Sequence, residues 1–248
     1  MTLDPAFLTT PLTHRGYHGA GRPENSPAAF AAAIDAGYGI ECDVQLSADD
    51  QAMVFHDYDL KRLTAETGPI RQRAAAELGR IALTGGSDTI PTLEEVLAIV
   101  DGRVPLLIEI KDQDGAMGPD VGPLERAVAF ALEGYDGPVA VMSFNPHSVA
   151  AMARLAPDVP RGLTTSSWEA DDWPTIPAAT RHLLRGIPDY DDTGSSFISH
   201  EAPDLSRPRV AELKDRGAGI LCWTIRSPEQ EAQAREVAHN ITFEGYAA

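Results

Sequence analysis

Two pairs of charged residues in this sequence are spaced by one residue inside apolar runs. Glu41 and Asp43 lie in GIECDVQL, and Glu109 and Lys111 lie in LLIEIK. Because side chains alternate between the faces of a strand, both members of each pair point the same way. Three converging carboxylates would repel one another unless a cation sat between them, and oxygen ligands favour a hard ion such as Mg²⁺ or Ca²⁺. The spacing therefore predicts a divalent metal site formed by Glu41, Asp43 and Glu109.

Two histidines end short apolar runs in the same part of the chain. His14 ends the first run, and His56 ends a short run after the Glu41–Asp43 pair. The ordinary pKa of imidazole lies near neutrality, so two imidazoles on opposite sides of a substrate suit general acid–base catalysis. Either histidine taken singly is also compatible with a structural role, but the pair beside the carboxylates favours catalysis.

Arg15 and Lys111 add positive charge to the same group of residues. The guanidinium of Arg15 offers a planar fork of donors that matches a phosphate edge, and Lys111 supplies a point charge. Together with a metal ion, they would form a positive pocket in an acidic protein, which indicates phosphoryl chemistry. The alternative is that Arg15 and Lys111 only form structural ion pairs with the carboxylates.

The elements that must position these residues alternate between strand-like and helix-like patterns. Several helical segments begin at Ser, Thr or Pro and several end at Gly. Eight strands with intervening helices predict a single-domain (β/α)8 TIM barrel spanning residues 1–248, with a small insertion after the second strand at about 57–90. The predicted strands are 12–16, 39–46, 104–111, 138–144, 161–165, 195–201, 218–225 and 240–245, with an extra short strand at 51–56. Because sites in this fold form at the C-terminal ends of the strands, the charged residues should meet there.

Composition excludes several classes of partner. The chain has 20 Lys and Arg against 37 Asp and Glu, a formal charge of −17. Nucleic acid and anionic membrane surfaces would therefore be repelled, whereas a small anionic substrate could still bind where basic groups or a metal reverse the potential. No apolar segment is long enough to span a membrane, and the two cysteines, Cys42 and Cys222, lie far apart in sequence. We expect a soluble, cytoplasmic protein without a disulfide framework.

The motifs together resemble the glycerophosphodiester phosphodiesterase family. The resemblance spans nearly the whole chain and rests on HRG at 14–16, PENS with AF at 23–30, AGYGIECDVQLSADDQAMVFHDYDLKRLT at 36–64, IPTLEEVL at 90–97, LLIEIK at 106–111, MSFNP at 142–146 and CWTI at 222–225. It implies a TIM barrel enzyme that cleaves glycerophosphodiesters to glycerol 3-phosphate and an alcohol.

The resemblance also implies a role for each site residue. His14 and His56 match the family's acid–base pair, and Glu41, Asp43 and Glu109 match the ligands of its divalent ion. The matches to substrate-binding positions are Arg15 and Lys111 for phosphate and Phe144 and Trp223 for the aromatic wall beside the alcohol or glycerol.

Several alternatives stay open at the level of sequence. The same chemistry could act on a lysophospholipid or a sugar phosphodiester, or the barrel could bind without catalysing a reaction. We expect a monomer or weak homo-oligomer, and the sequence does not distinguish Mg²⁺ from Ca²⁺, the acid from the base, or water from a glycerol hydroxyl as nucleophile. Glu24 and Asn25 are expected to hydrogen-bond the backbone at the start of the following helix. Glu244 stands where many members of the family carry an Asp-containing ending.

Overall fold

A computed structural model of the protein describes residues 2–248, which contain nine β-strands and nine α-helices. The strands are β1 Leu12–Thr13, β2 Gly39–Leu46, β3 Ala52–Val54, β4 Leu106–Ile110, β5 Val139–Ser143, β6 Arg161–Thr165, β7 Phe197–Glu201, β8 Gly219–Ile225 and β9 Asn240–Phe243. The helices are α1 Ala6–Thr9, α2 Pro27–Asp35, α3 Ala75–Leu78, α4 Leu93–Val100, α5 Pro123–Ala131, α6 Pro146–Leu155, α7 Ala178–Arg185, α8 Pro208–Asp215 and α9 Pro228–Ala234.

Eight of the strands form a closed parallel barrel. Neighbouring strands pair in chain order from β4 to β9, while β1 pairs with both β9 and β2 and so closes the sheet. The remaining strand, β3, runs antiparallel to β2 outside the barrel. Helices separate the strands along the chain, which confirms the predicted (β/α)8 fold and places the C-terminal ends of the strands on one face.

Alternation along β2 and β4 separates the core from the site. Every residue of β2 is buried, and its Cys42 packs with Phe30 of α2 and Ile108 of β4 in the layer between barrel and helices. Glu41 and Asp43 therefore project into the barrel, on the opposite side from Cys42. The apolar layer fixes the strand register, and the register fixes where these carboxylates lie.

A short N-terminal helix that the sequence patterns did not predict packs against the barrel interior. Phe7 of α1 is fully buried and belongs to one apolar cluster with Leu107 of β4 and Phe197 of β7. Asn240 of β9 donates hydrogen bonds to the backbone oxygens of Phe7 and Thr10. A single helical turn carries too little periodicity to stand out in a sequence.

The segment between β3 and α4 has a small apolar cluster of its own. It contains two 3₁₀ turns, Leu60–Arg62 and Ile70–Gln72, and the short helix α3. The buried members of the cluster are Met53, Phe55, Leu60, Ile70, Leu78, Leu83 and Ile90. These contacts hold the segment beside the end of β2, where it carries Asp57 and Arg62 toward the site.

Candidate active site

A polar cavity of about 220 Å³ opens at the C-terminal ends of the barrel strands. All nine residues singled out from the sequence line it: His14, Arg15, Glu41, Asp43, His56, Glu109, Lys111, Phe144 and Trp223. Met142, Thr224, Arg226 and Thr242 complete the lining. The fold thus brings together side chains from seven strands or the loops that follow them.

The backbone of the HRG segment explains why this motif has its residues in this order. Arg15 adopts a left-handed conformation with φ 55°, and its N–H donates to Glu41 Oε2 at 2.9 Å. Gly16 follows with φ 80°, and a Cβ at that position would lie 2.9 Å from Ala29 Cβ of α2. A residue with a side chain would therefore clash with α2 as well as strain the backbone. The tight turn directs His14 and Arg15 into the cavity.

The three predicted metal ligands meet inside the cavity. Glu41, Asp43 and Glu109 are all buried, and one carboxylate oxygen of each lies within 4.8 Å of the other two. Asp43 Oδ1 is a buried oxygen without a hydrogen-bond partner, although Lys111 Nζ lies 2.8 Å away as an ion pair. An oxygen-only set with a free buried lone pair fits a hard divalent ion. These residues could therefore hold Mg²⁺ or Ca²⁺.

Charge is distributed unevenly among these carboxylates. Burial, together with the charges of Asp43 and Glu109, raises the pKa of Glu41 well above its ordinary value. Burial would also raise the pKa of Asp43, but the cations of Lys111 and Arg15 hold it well below its ordinary value. Lys111 bridges Asp43 and Glu109, and these partners raise the pKa of its ammonium despite burial. Lys111 and Arg15 offset the charges of two carboxylates, and a bound cation would favour the ionised form of the third, Glu41.

His14 is held by a carboxylate from the far end of the chain. Its Nδ1 lies 2.5 Å from Glu244 Oε2, and Arg226 Nε donates to Glu244 Oε1 at 2.8 Å. The hydrogen bond with His14 is the main cause that lowers the pKa of Glu244 below its ordinary value. An ionised carboxylate only accepts, so Nδ1 carries the proton and Nε2 is left free to accept one. Burial lowers the pKa of His14, which favours the neutral ring.

His56 has an equivalent partner in its chain neighbour. His56 Nδ1 lies 2.6 Å from Asp57 Oδ1, as expected for an orienting carboxylate. Arg62 donates to both oxygens of Asp57 and also to both oxygens of Glu24. Burial raises the pKa of Asp57, but the hydrogen bonds from His56 and Arg62 outweigh it and hold the pKa below its ordinary value. The carboxylate is thus ionised and fixes the imidazole.

Glu24 and Asn25 correct one expectation from the sequence. Glu24 accepts from Arg15 Nη1 at 2.7 Å, and Asn25 Nδ2 donates to Asp43 Oδ2 at 2.9 Å. The helix that follows is capped by Ser26, whose Oγ accepts from the N–H of Ala29. Asn25 lies in the left-handed region, with φ 55°, which turns its amide toward β2 rather than toward the helix. Both residues therefore orient the charged groups of the cavity.

His200 and Glu201, which end β7, do not line this cavity. His200 is fully buried and is hydrogen-bonded to Thr165 and Asp204. Glu201 accepts from the N–H of Ser167. These contacts give both residues structural roles at the barrel mouth.

The aromatic wall is larger than the sequence motifs indicated. The ring of Phe144 lies 5.5 Å from that of Trp223 and 4.9 Å from that of Trp173, centroid to centroid. Trp168 packs behind, 4.4 Å from Trp173. Trp168 and Trp173 lie in the loop after β6, where no regular spacing marks them. Only closure of the barrel places them beside the site.

Comparison with known proteins identifies the family. Residues 14–240 match the model of the glycerophosphoryl diester phosphodiesterase family. A glycerophosphodiester phosphodiesterase of Caldanaerobacter subterraneus subsp. tengcongensis is 30% identical over 231 residues, which cover 89% of this chain and 87% of that protein. A glycerophosphodiester phosphodiesterase of Bacillus altitudinis is 33% identical over 168 residues, covering 64% of this chain and 67% of that protein.

Solved structures share the fold. The structure of an Oleispira antarctica phosphodiesterase in complex with the product sn-glycerol-3-phosphate has a TM-score of 0.78 at 24% identity, covering 96% of this chain and 94% of that one. A glycerophosphodiester phosphodiesterase from Thermotoga maritima has a TM-score of 0.70 at 24% identity, covering 94% and 92%. The chain therefore belongs to the glycerophosphoryl diester phosphodiesterase family, and the protein is an enzyme of that family.

Proposed function

We propose that this protein hydrolyses glycerophosphodiesters to glycerol 3-phosphate and an alcohol, using a divalent metal ion and the acid–base pair His14 and His56. The observation that carries the proposal is a single cavity in which two imidazoles, each held by a carboxylate, face three buried carboxylates. The binding of sn-glycerol-3-phosphate by the Oleispira antarctica phosphodiesterase supports the same product here.

Substrate binding would begin with the phosphate. Arg15 is held in place by Glu24 and Asp43, and its side chain remains 17% exposed at the cavity. Its guanidinium can donate two parallel hydrogen bonds to phosphate oxygens, and Lys111 adds a nearby positive charge. When bound to Glu41, Asp43 and Glu109, Mg²⁺ or Ca²⁺ would stabilise the charge that builds at phosphorus.

Proton transfer would then fall to the two histidines. The Glu244 and Asp57 contacts fix the Nδ1–H tautomer of His14 and His56 and leave each Nε2 for the reaction. One Nε2 accepts the proton of the nucleophile, and the other imidazole, protonated, donates to the departing oxygen. Either water or a glycerol hydroxyl could be the nucleophile that this pair deprotonates. Attack by the glycerol hydroxyl would expel the alcohol and pass through a cyclic phosphate, which water would then open to glycerol 3-phosphate.

The test is glycerol 3-phosphate release from glycerophosphocholine and glycerophosphoethanolamine with Mg²⁺, with Ca²⁺ and with EDTA. We expect release with a divalent ion and none with EDTA. His14→Ala and His56→Ala should each lower kcat by about 10²–10⁴-fold, whereas His182→Ala, an exposed residue of α7, should not. Full activity in both site variants would refute the acid–base assignment. No release from these two diesters or from glycerophosphoglycerol with either ion would refute the function.

We further propose that the chain acts as one domain in which residues 57–90 are an insertion that serves the site. In support, Arg62 of this segment links Asp57 to Glu24. None of the helices within residues 2–248 is long and apolar enough to cross a membrane, and Cys42 and Cys222 are both free and buried. We propose that the protein acts in the cytoplasm on small diesters, as a monomer or weak homo-oligomer. Sedimentation of the purified protein would test the oligomeric state.

A further inference from the structure

Two cavities meet at the phosphate-binding residues. Beside the polar cavity of about 220 Å³ lies a second one of about 580 Å³. The residues that line both are His56, Glu109, Lys111, Phe144 and Trp223. His14 lines only the polar cavity. A phosphate at this junction would direct one arm of a diester into each cavity.

The two cavities suit arms of different chemistry. The polar cavity is the smaller one and offers Thr224, Arg226 and Thr242, which can hydrogen-bond hydroxyl groups. A three-carbon arm with two hydroxyls matches that lining. The larger cavity is walled by Phe144, Trp173 and Trp223, and the half-exposed Tyr58 stands at its rim.

The aromatic wall is preorganised. Phe144 contacts both Trp173 and Trp223, and the indole of Trp168, only 4% exposed, packs against Trp173. The hydroxyl of Tyr58 donates to the backbone oxygen of Asp112 at 2.6 Å, which anchors its ring. Rings that are already ordered lose little entropy when a ligand arrives, and their faces attract cations.

Negative charge at this cavity is left uncompensated. Asp59 accepts hydrogen bonds only from the backbone N–H groups of Lys61 and Gly68. Asp112 accepts only from the N–H of Met117 and the amide of Asn145. These donors are neutral, so neither carboxylate is paired with a cation, and both residues line the cavity. Lys111 lines it as well, but its charge is taken up by two carboxylates.

We propose that the aromatic cavity is the leaving-group subsite and that it selects an alcohol bearing an organic cation, such as the trimethylammonium group of choline. The inference rests on the proposed function and specifies its substrate class. Aromatic faces with uncompensated carboxylates stabilise a quaternary ammonium group, which needs no hydrogen-bond acceptor. An anionic alcohol would be repelled by the same carboxylates, and a neutral aliphatic alcohol would gain only apolar burial.

The deciding experiment compares two diesters of the same shape. Glycerophosphocholine and its neutral isostere, the 3,3-dimethylbutyl diester of glycerol phosphate, differ only by carbon in place of the charged nitrogen. We expect kcat/KM to be about tenfold higher for the choline diester. Equal values for the two diesters would overturn the cation subsite while leaving the phosphodiesterase function standing. No turnover of either diester, nor of glycerophosphoglycerol, would overturn the function and the subsite together.

Variants of Trp173 test whether the aromatic wall causes the preference for the choline diester. Trp173→Leu should bring the ratio of the two kcat/KM values close to one, while Trp173→Phe, which keeps an aromatic face, should retain most of it. Phe130→Leu changes an exposed aromatic side chain on α5 away from both cavities and should leave the ratio unchanged. Because the ratio compares two substrates on one protein sample, partial misfolding cancels. An unchanged ratio of the two kcat/KM values in folded Trp173→Leu would show that the aromatic wall does not contribute to selection of the cation.

Discussion

Glu244 Oε2 lies 2.5 Å from His14 Nδ1, although 230 residues separate the two along the chain. The contact forms because β9 pairs with β1, so the residues that follow these strands come to lie side by side. Glu244 is also bound by Arg226, and His18 Nε2 lies 3.5 Å from the same Oε2. Glu244 thus fixes the tautomer of His14 and directs its Nε2 toward the cavity.

Removing the charge of Glu244 should lower catalysis more than it lowers stability. Glu244→Gln still fills the space but can present an N–H to His14 and lose the preference for one tautomer. We expect kcat to fall at least about tenfold, toward the 10²–10⁴-fold contribution of an acid–base group. Glu244→Asp should recover part of the loss, and Glu236→Gln, an exposed carboxylate nearby in sequence, is the matched control. A lower melting temperature with an unchanged pH profile of kcat would mean that Glu244 is only structural.

Metal binding should appear as a gain in thermal stability that depends on Glu41. A ligand that binds only the folded state stabilises it by about 2.7 kcal/mol at a hundredfold excess over its Kd. Wild-type protein should therefore melt at higher temperature as Mg²⁺ or Ca²⁺ is added, and Glu41→Gln should respond much less. Glu236→Gln again serves as the control. Equal shifts in wild type and Glu41→Gln would place the ion elsewhere.

In the metal-free protein, Glu41→Gln should instead raise the free energy of unfolding. Burial and the nearby Asp43 and Glu109 raise the pKa of Glu41 above its ordinary value of 4.5. A raised folded-state pKa means that stability is full below pH 4.5 and falls as the pH rises toward the folded-state pKa. In EDTA, Glu41→Gln should therefore be more stable than wild type at pH 8, with the difference shrinking near pH 4. Denaturant unfolding at both pH values measures the difference.

His56 lines both cavities, and this position predicts that the loss of kcat on its mutation depends on the leaving group. If the alcohol leaves through the aromatic cavity, His56 is the group beside the departing oxygen, since His14 does not line that cavity. A p-nitrophenyl leaving group needs no proton. The kcat of His56→Ala should therefore fall less than about tenfold with the p-nitrophenyl diester of glycerol phosphate, but about 10²–10⁴-fold with glycerophosphocholine. The kcat of His14→Ala should fall by the same factor with both diesters. If His14→Ala, and not His56→Ala, regained activity with the p-nitrophenyl diester, the acid and base roles of the two histidines would be reversed.

Gly16 and Gly21 form a natural pair for testing the turn after His14. Both have positive φ, 80° and 76°, but a Cβ at Gly16 would lie 2.9 Å from Ala29 Cβ, whereas nothing lies within 4 Å at Gly21. Gly21→Ala should cost about 1–2 kcal/mol for the left-handed backbone alone. Gly16→Ala should cost roughly 1–3 kcal/mol more because α2 must move, and kcat/KM should fall with it. If denaturant unfolding gave equal losses in the free energy of unfolding for the two variants, α2 would be shown to move without an energetic cost.

Much of the architecture could be predicted from local patterns. Alternation in β2 and β4 put Glu41, Asp43 and Glu109 on one face, and the strand–helix rhythm indicated the barrel that the structure shows. The same local reasoning missed α1, which is a single turn, and misassigned Glu24 and Asn25. The left-handed backbone of Asn25 turns its amide toward Asp43 of β2, and Glu24 accepts from Arg15 and Arg62. Turn preferences do not specify such partners.

The sequence by itself determined which chemical groups were available and on which face of each strand they lie, because a period of two is a property of the strand alone. It also determined the family, since the motifs occur in order along the chain. Only the tertiary structure decided the partners: Glu244 for His14, Arg62 for Glu24, and Trp173 for Phe144. These contacts join residues far apart in sequence, and they exist only because closing the barrel brings the ends of all eight strands to one face.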